Sequence, residues 1–443
     1  MSVDATRSIR RAGSGRRLIL ASLVSLLTVA PARAAEPPRE APAGPRPMET
    51  SCVSCHSQMD DVLLEPTKHM QDDIHFLKGL SCHDCHGGNP AAGGDGDPEA
   101  AHDRKMGWTG KPSRTQIPAF CAKCHADAAF MKRFNPHTRI DQYSEYRTSV
   151  HGKKNAEGDE RTAVCVDCHG VHGIRAVSDP RSSVYPTKVA ETCSACHADE
   201  KRMGHYFLPT TQHEEYRKSV HAHALYDEGD TSAPTCNDCH GSHGAVPPGV
   251  GNVANVCGSC HTREATMFRE TEAKLKLDLA ACIQCMVCHS NHAVLPPDDR
   301  MVGVGDASTC TGCHAEEDKG YKAAAQMADG IGALVKRLGE ANERLDRAER
   351  AGVEVGPDRF DLQKGRDKLV EARVLVHSFD LEKFLAAAKE GLETADAGVA
   401  AGDRAEAELR TRRLGLWFSL LVIVAVLIGL ALKVRQIERT SGT

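Results

Sequence analysis

Eighteen of the 19 cysteines fall into nine copies of Cys-x-x-Cys-His. The pairs are Cys52/Cys55, Cys82/Cys85, Cys121/Cys124, Cys165/Cys168, Cys193/Cys196, Cys236/Cys239, Cys257/Cys260, Cys285/Cys288 and Cys310/Cys313. Two such thiols followed at once by an imidazole form the attachment pattern of a c-type haem. The thiols bond to the porphyrin, and the adjacent histidine reaches the iron as proximal ligand. Those histidines are His56, His86, His125, His169, His197, His240, His261, His289 and His314. Structural zinc also uses Cys-x-x-Cys, and a disulfide framework also pairs cysteines. Neither requires a histidine after every second cysteine, and nine of nine motifs have one. Nine covalently bound c-type haems are expected.

Further histidines recur at fixed places around the motifs. In CVDCHGVHG, CNDCHGSHG and CMVCHSNHA, a second histidine follows three residues after the first: His172, His243 and His292. It lies on the same side of the ring held by its own motif, so an iron it binds belongs to a neighbouring haem. Upstream of two of these stand YRTSVHG and YRKSVHA, carrying His151 and His221, and DIHF carries His75 in the corresponding place. These can loop back to the far face of a haem. Of 23 histidines, nine are proximal and 14 remain. The candidates for distal ligands are His69, His75, His102, His137, His151, His172, His221, His243 and His292. His83, His205, His213, His223 and His377 are the other five. Two histidines per iron would give lower potentials than a histidine and a methionine.

The chain between these residues is short for what it must hold. Residues 35–320 provide 286 residues, roughly 32 per haem, too few to build an ordinary core around each cofactor. Porphyrins must supply most of the buried apolar surface. The expected fold is therefore mainly α with extensive loops: a multihaem domain wrapped around its haems, then a helical hairpin and one C-terminal transmembrane helix. The motifs at residues 48–320 divide into one single site and four two-site modules. A glycine-rich insertion, AAGGDGDP, lies in the first module.

Residues 1–34 combine five early arginines, an apolar run and an Ala-x-Ala site, the pattern of a secretory signal peptide. Residues 35–47 are a proline-rich spacer. Residues 321–413 lack cysteine and are rich in Ala, Leu, Glu and Arg, and GVEVGP divides them into two helical arms. Val370, Val374, His377, Leu381 and Phe384 share an apolar stripe there. His377 is either a buried histidine of that seam or a ligand to an iron left short in the fourth module. Residues 414–432 run for 19 residues without a charge, long enough to span a bilayer. Arginines on both flanks leave the positive-inside rule undecided. Haem attachment after export puts the haem domain outside the cytoplasmic membrane, in the periplasm, with residues 433–443 as a cytoplasmic tail. Cys282, three residues before Cys285, is either a spare thiol or a thiolate axial ligand. The net charge is −5, or −10 once residues 1–34 with their six arginines and one aspartate are removed. That charge suits a basic docking surface on a partner and gives no sign of nucleic-acid binding.

Over residues 48–320 the doubled Cys-x-x-Cys-His motifs make the chain similar to the multihaem c-type cytochromes. That resemblance implies electron carriage through chains of bis-histidine haems. It implies as partners an integral-membrane quinol-oxidising or b-type cytochrome subunit and a periplasmic redox protein as acceptor. Membrane-bound quinol dehydrogenase cytochromes also resemble it, though they commonly carry an N-terminal anchor. Some relatives are reductases with one open haem, so the rival expectation is a terminal reductase of a small nitrogen or sulfur oxyanion. A third reading is a structural scaffold within a larger respiratory complex.

Overall fold

A one-turn helix suits Cys-x-x-Cys-His, because residues i, i+3 and i+4 share one helical face. In the computed structural model, seven of the nine motifs lie on short α-helices, each ending on the motif histidine. These helices are Ser51–His56, Cys82–His86, Ile117–His125, Cys165–His169, Pro186–His197, Cys236–His240 and Gln284–His289. The other two motifs begin in 3-10 segments, Val253–Ser259 and Cys310–Gly312. The structure describes residues 50–92, 97–244, 253–279 and 284–441. The expected signal peptide and spacer, part of the glycine-rich insertion, and Cys282 lie outside the described residues.

The protein is mainly helical with extensive loops, and no strand occurs among the described residues. Apolar burial is divided unevenly. Of 30 buried hydrophobic residues among those described, 11 lie before residue 320 and 19 in the much shorter segment from Ala324 to Ala405. The motif-bearing region has no continuous core of its own; its small cluster joins Ala190, Tyr216 and Ala222.

The C-terminal segment packs conventionally. Met327, Ile331, Leu334, Leu338, Ala341, Leu345 and Ala348 are buried at alternating spacings of three and four along the helix Lys319–Arg350, the stripe of helix-bundle packing. They meet Leu362 on the helix Gly356–Leu375 and Phe384, Ala395 and Val399 on the helix Leu381–Ser441. Arg337–Asp396, Arg344–Asp403 and Arg347–Glu406 pair the first and third helices at one constant offset. Exposed pairs of this kind stabilise little, but they mark the register. Replacing the fully buried Leu345 with alanine should destabilise this bundle by about 2–5 kcal/mol, measured by denaturant unfolding.

The segment differs from a two-armed hairpin in one place. The chain breaks again after Leu375, passing through the 3-10 turn Val376–Ser378 and a left-handed Phe379 (φ 51°) before the third helix begins. Three helices result. Val370 is 52% exposed while Phe384 is fully buried, so the expected stripe through both is interrupted by this turn. The turn docks on the motif-bearing region. The Arg373 guanidinium donates two hydrogen bonds of 2.8 Å to the Asp299 carboxylate, and Phe379 meets Phe268 at 6.2 Å.

The third helix continues from the bundle into residues 414–432 without interruption. This stretch is long and apolar enough to cross a membrane, and none of it is buried against the rest of the protein. At 1.5 Å per residue, the 33 residues from Leu381 to Leu414 put about 50 Å of helix between the docking turn and the apolar stretch.

Candidate haem-binding sites

The first motifs of three modules are built by the same local chemistry. In CHDCH, CVDCH and CNDCH the aspartate side chain accepts the backbone N–H just before the motif. These bonds are Ser81 N to Asp84 at 2.7 Å, Val164 N to Asp167 at 2.7 Å and Thr235 N to Asp238 at 2.8 Å. An acceptor at this place satisfies a donor that the first helical turn leaves free. After the histidine, Gly87, Gly170 and Gly241 take φ of 72°, 79° and 83°, open to glycine at no steric cost. The fourth module has Ser290 there, held at φ 64°. This reversal ends the helix and turns the following histidine away from its own motif.

The upstream histidines are framed just as regularly. Ser149 and Ser219 cap the helices that carry His151 and His221, accepting from Gly152 N and Ala222 N. The Tyr146 hydroxyl donates to Ala163 O at 2.9 Å, and Tyr216 to Pro234 O at 3.0 Å, two residues before the next motif. Backbone bonds tie these segments to the chain beyond a trailing histidine: Ile74 N to Ile174 O at 2.7 Å and Val220 N to Val294 O at 2.8 Å.

The motifs follow one another in space as they do in sequence. Thiols of consecutive motifs sit close enough to feel one another: Cys52 and Cys82, Cys85 and Cys124, Cys121 and Cys165, Cys168 and Cys196. The series continues with Cys193 and Cys236, Cys239 and Cys260, Cys257 and Cys285, and Cys288 with Cys310 and Cys313. Within a module the second cysteines meet, and between modules the first cysteines meet. Each motif thus faces its predecessor through one thiol and its successor through the other.

Cys55, the second thiol of the first motif, is exposed, and its assignment to a haem rests on its motif and on the neighbouring His56.

None of the 18 motif cysteines is joined to another in a disulfide, and burial pushes the Cys85 and Cys168 thiols up to about 11. Among the described residues no three His, Cys, Asp or Glu side chains converge on a metal-sized site.

Eight of the nine motif histidines face a second imidazole. His86 faces His172 (6.1 Å between ring centres, 31° between planes), His169 faces His243 (6.1 Å, 8°), His240 faces His292 (6.0 Å, 23°) and His289 faces His377 (6.1 Å, 15°). The remaining pairs are crossed more steeply. They are His56 with His102 (6.3 Å, 90°), His125 with His75 (5.9 Å, 89°), His197 with His151 (6.1 Å, 62°) and His261 with His221 (6.4 Å, 42°). Aromatic pairs in general fall within about 4.5–7 Å, but eight pairs within 5.9–6.4 Å, each holding one motif histidine, share a fixed spacer. An imidazole nitrogen binds a first-row metal at about 2 Å, and the ring centre lies about 1 Å further back, so two rings on one metal stand about 6 Å apart. The side chains therefore fit an iron between each pair.

The protonation of these rings suits the same use. Burial holds His125, His151, His169, His172, His197, His221, His240, His243 and His289 below the ordinary histidine value. Where Nδ1 has a carbonyl partner, it carries the proton: His56 donates to Leu63 O, His86 to Gly110 O and His377 to Val374 O, at 3.0–3.1 Å. That leaves Nε2 as the nitrogen able to bind metal.

The other two candidates, His69 and His137, are not brought to a motif histidine. His69 ends a helix with its ring beside Glu65 at 3.6 Å, and His137 is exposed. His314 faces no second imidazole, although all 23 histidines lie among the described residues. Two contributors were not expected from the sequence. Trp108 stacks on His102 at 4.3 Å and reaches His86 at 6.0 Å, touching two neighbouring sites. Asp318 holds the ring of His314.

A mainly helical chain with a single file of Cys-x-x-Cys-His motifs and paired imidazoles has the makings of a multihaem c-type cytochrome. Comparison with known proteins agrees. The chain is 24% identical over 227 residues to the multihaem cytochrome MtrA of Shewanella baltica, covering 47% of this chain and 61% of that protein. No protein-family model and no solved structure matches. The similarity supports covalent c-type haems and a role in electron transfer.

Proposed function

We propose that this protein is a nonahaem electron wire, anchored by residues 414–432 in the cytoplasmic membrane with its haem domain in the periplasm. In this reading it relays electrons from the quinol pool, received through an integral-membrane partner, to a periplasmic redox protein. The haems, once attached, supply the one-electron carriers. The observation that carries this reading is the single file of nine motifs in which eight histidines each face a second imidazole at 5.9–6.4 Å.

The chain's own part is ligation and spacing. His172, His243 and His292 ligate irons held two motifs earlier, opposite His86, His169 and His240. Each module thus completes the first site of the module before it. His377 does the same for His289, so the turn of the C-terminal bundle stands where a fifth module would. His75, His151 and His221 complete the second site within their own modules, and His102 completes the first motif. Burial keeps most of these imidazoles uncharged and so available as ligands.

The test is the intact mass of the mature protein with its oxidised electron paramagnetic resonance spectrum. Nine added haems are expected, with low-spin signals in two classes. The four near-parallel imidazole pairs should give rhombic signals and the steeply crossed pairs strongly axial ones. Fewer than nine haems, or predominantly high-spin iron, would overturn the reading. The rival, a terminal reductase, gains one observation, at His314.

A further inference from the structure

The ninth motif departs from the other eight in how its histidine is held. His314 Nδ1 lies 3.1 Å from Asp318 Oδ2. An ionised carboxylate can only accept, so His314 donates. The same oxygen accepts from Ala315 N at 3.2 Å, and the other carboxylate oxygen accepts from Tyr321 N at 2.7 Å as the cap of the long helix Lys319–Arg350. The carboxylate is thus fixed from three sides. Gly320 packs on the imidazole so closely that a Cβ there would lie 2.2 Å from the ring.

Five other histidines, His69, His75, His83, His223 and His292, have carboxylate neighbours, and only His75 and His292 of these belong to facing pairs. His75 Nδ1 meets Asp73 at 3.1 Å opposite His125, and His292 lies 3.5 Å from Glu215 opposite His240. Among motif histidines, His56 and His86 donate to neutral carbonyls. His314 combines a carboxylate partner with the lack of a facing imidazole among the described residues. Its side chain is 42% exposed.

A proximal imidazole that donates to a carboxylate becomes a stronger electron donor to its metal. A haem held on one axial side by such a ligand has a sixth position free for small molecules. Resting on the nine-haem reading, we propose that the haem of Cys310 and Cys313 is the wire's ligand-accepting terminus. His314 is its protein axial ligand and Asp318 the positioning residue. The sixth position takes small haem ligands: a neutral diatomic in the ferrous state and a small anion in the ferric state.

The experiment uses the full-length holoprotein in detergent, its haem content first fixed by pyridine haemochrome assay. Carbon monoxide titrated into the dithionite-reduced protein should bind one molecule per nine haems, and the oxidised protein should show a high-spin signal of the same share. In Asp318→Asn, resonance Raman should find the iron–histidine stretch of that haem at lower frequency, and Asp318→Glu should restore it. Nine haems with no carbon monoxide bound would overturn the proposal and leave the wire intact. So would a methionine-to-iron charge-transfer band accounting for the ninth site. A haem count below nine, with none on Cys310 and Cys313, would overturn both. An unshifted stretch in Asp318→Asn would remove Asp318 from its assigned role. Should that variant fail to mature, the carbon monoxide stoichiometry of the parent protein still decides the open site.

Discussion

Replacing His377 with alanine should convert one low-spin haem to a high-spin one. The His377 ring stands 6.1 Å from that of His289, with 15° between their planes. No other histidine ring takes that place. The lost intensity should come from the rhombic low-spin class, because His289 and His377 are one of the four near-parallel pairs. The affected site should also become easier to reduce, since a strong axial donor to its iron has gone. Docking of the bundle should survive, because Arg373 still holds Asp299 through two bonds of 2.8 Å and Phe379 still meets Phe268. Unaltered spectra would show that the C-terminal bundle contributes no ligand.

A double change of Cys193 and Cys196 to serine should cut the wire in two. Both cysteines belong to the fifth motif, whose thiols are the contacts to its neighbours: Cys196 to Cys168 before it and Cys193 to Cys236 after it. The variant should carry eight haems, leaving His151 and His197, 6.1 Å apart, with no iron between them. Equilibrium reduction of both halves should persist. Electron passage between them should slow by orders of magnitude, seen as biphasic reduction after a rapid pulse of reductant. Single-phase reduction at the parent rate would mean that the haems form a branched cluster rather than a file.

How far the sequence discloses all this depends on where each partner lies along the chain. The trailing histidines, His172, His243 and His292, were visible because a repeat placed them, and so were His75, His151 and His221. His102 was not separable from His69 and His137 by pattern, and His377 was marked only as either a buried histidine of the helical seam or a ligand for the fourth module. His102 lies 46 residues from His56 and His377 lies 88 from His289, and nothing repeats between them. The helical character of the protein was legible from composition and motif spacing. The break at Val376–Ser378 was not, because Phe379 takes a left-handed conformation without the glycine or asparagine that usually announces one. Ser290 is the reverse case. It fills a place that three glycines define elsewhere, so the repeat carries the geometry even where the residue does not. The order of the file was invisible, since spacing along the chain says nothing about which thiols will meet.

The long third helix bears on where a partner can work. Its uninterrupted run from Leu381 to the apolar stretch makes the bundle a mast, about 50 Å tall by helical rise and little shorter at the usual tilt of about 20°. That height exceeds the hydrocarbon thickness of a bilayer, about 30 Å. The turn that meets Asp299 and Phe268 of the motif-bearing region therefore stands about 50 Å along the helix from the apolar stretch. With residues 414–432 in a membrane, as proposed above, whatever loads the file at that turn must itself stand tall or diffuse, and shortening the mast by whole helical turns would lower the turn toward the membrane without altering a single haem site.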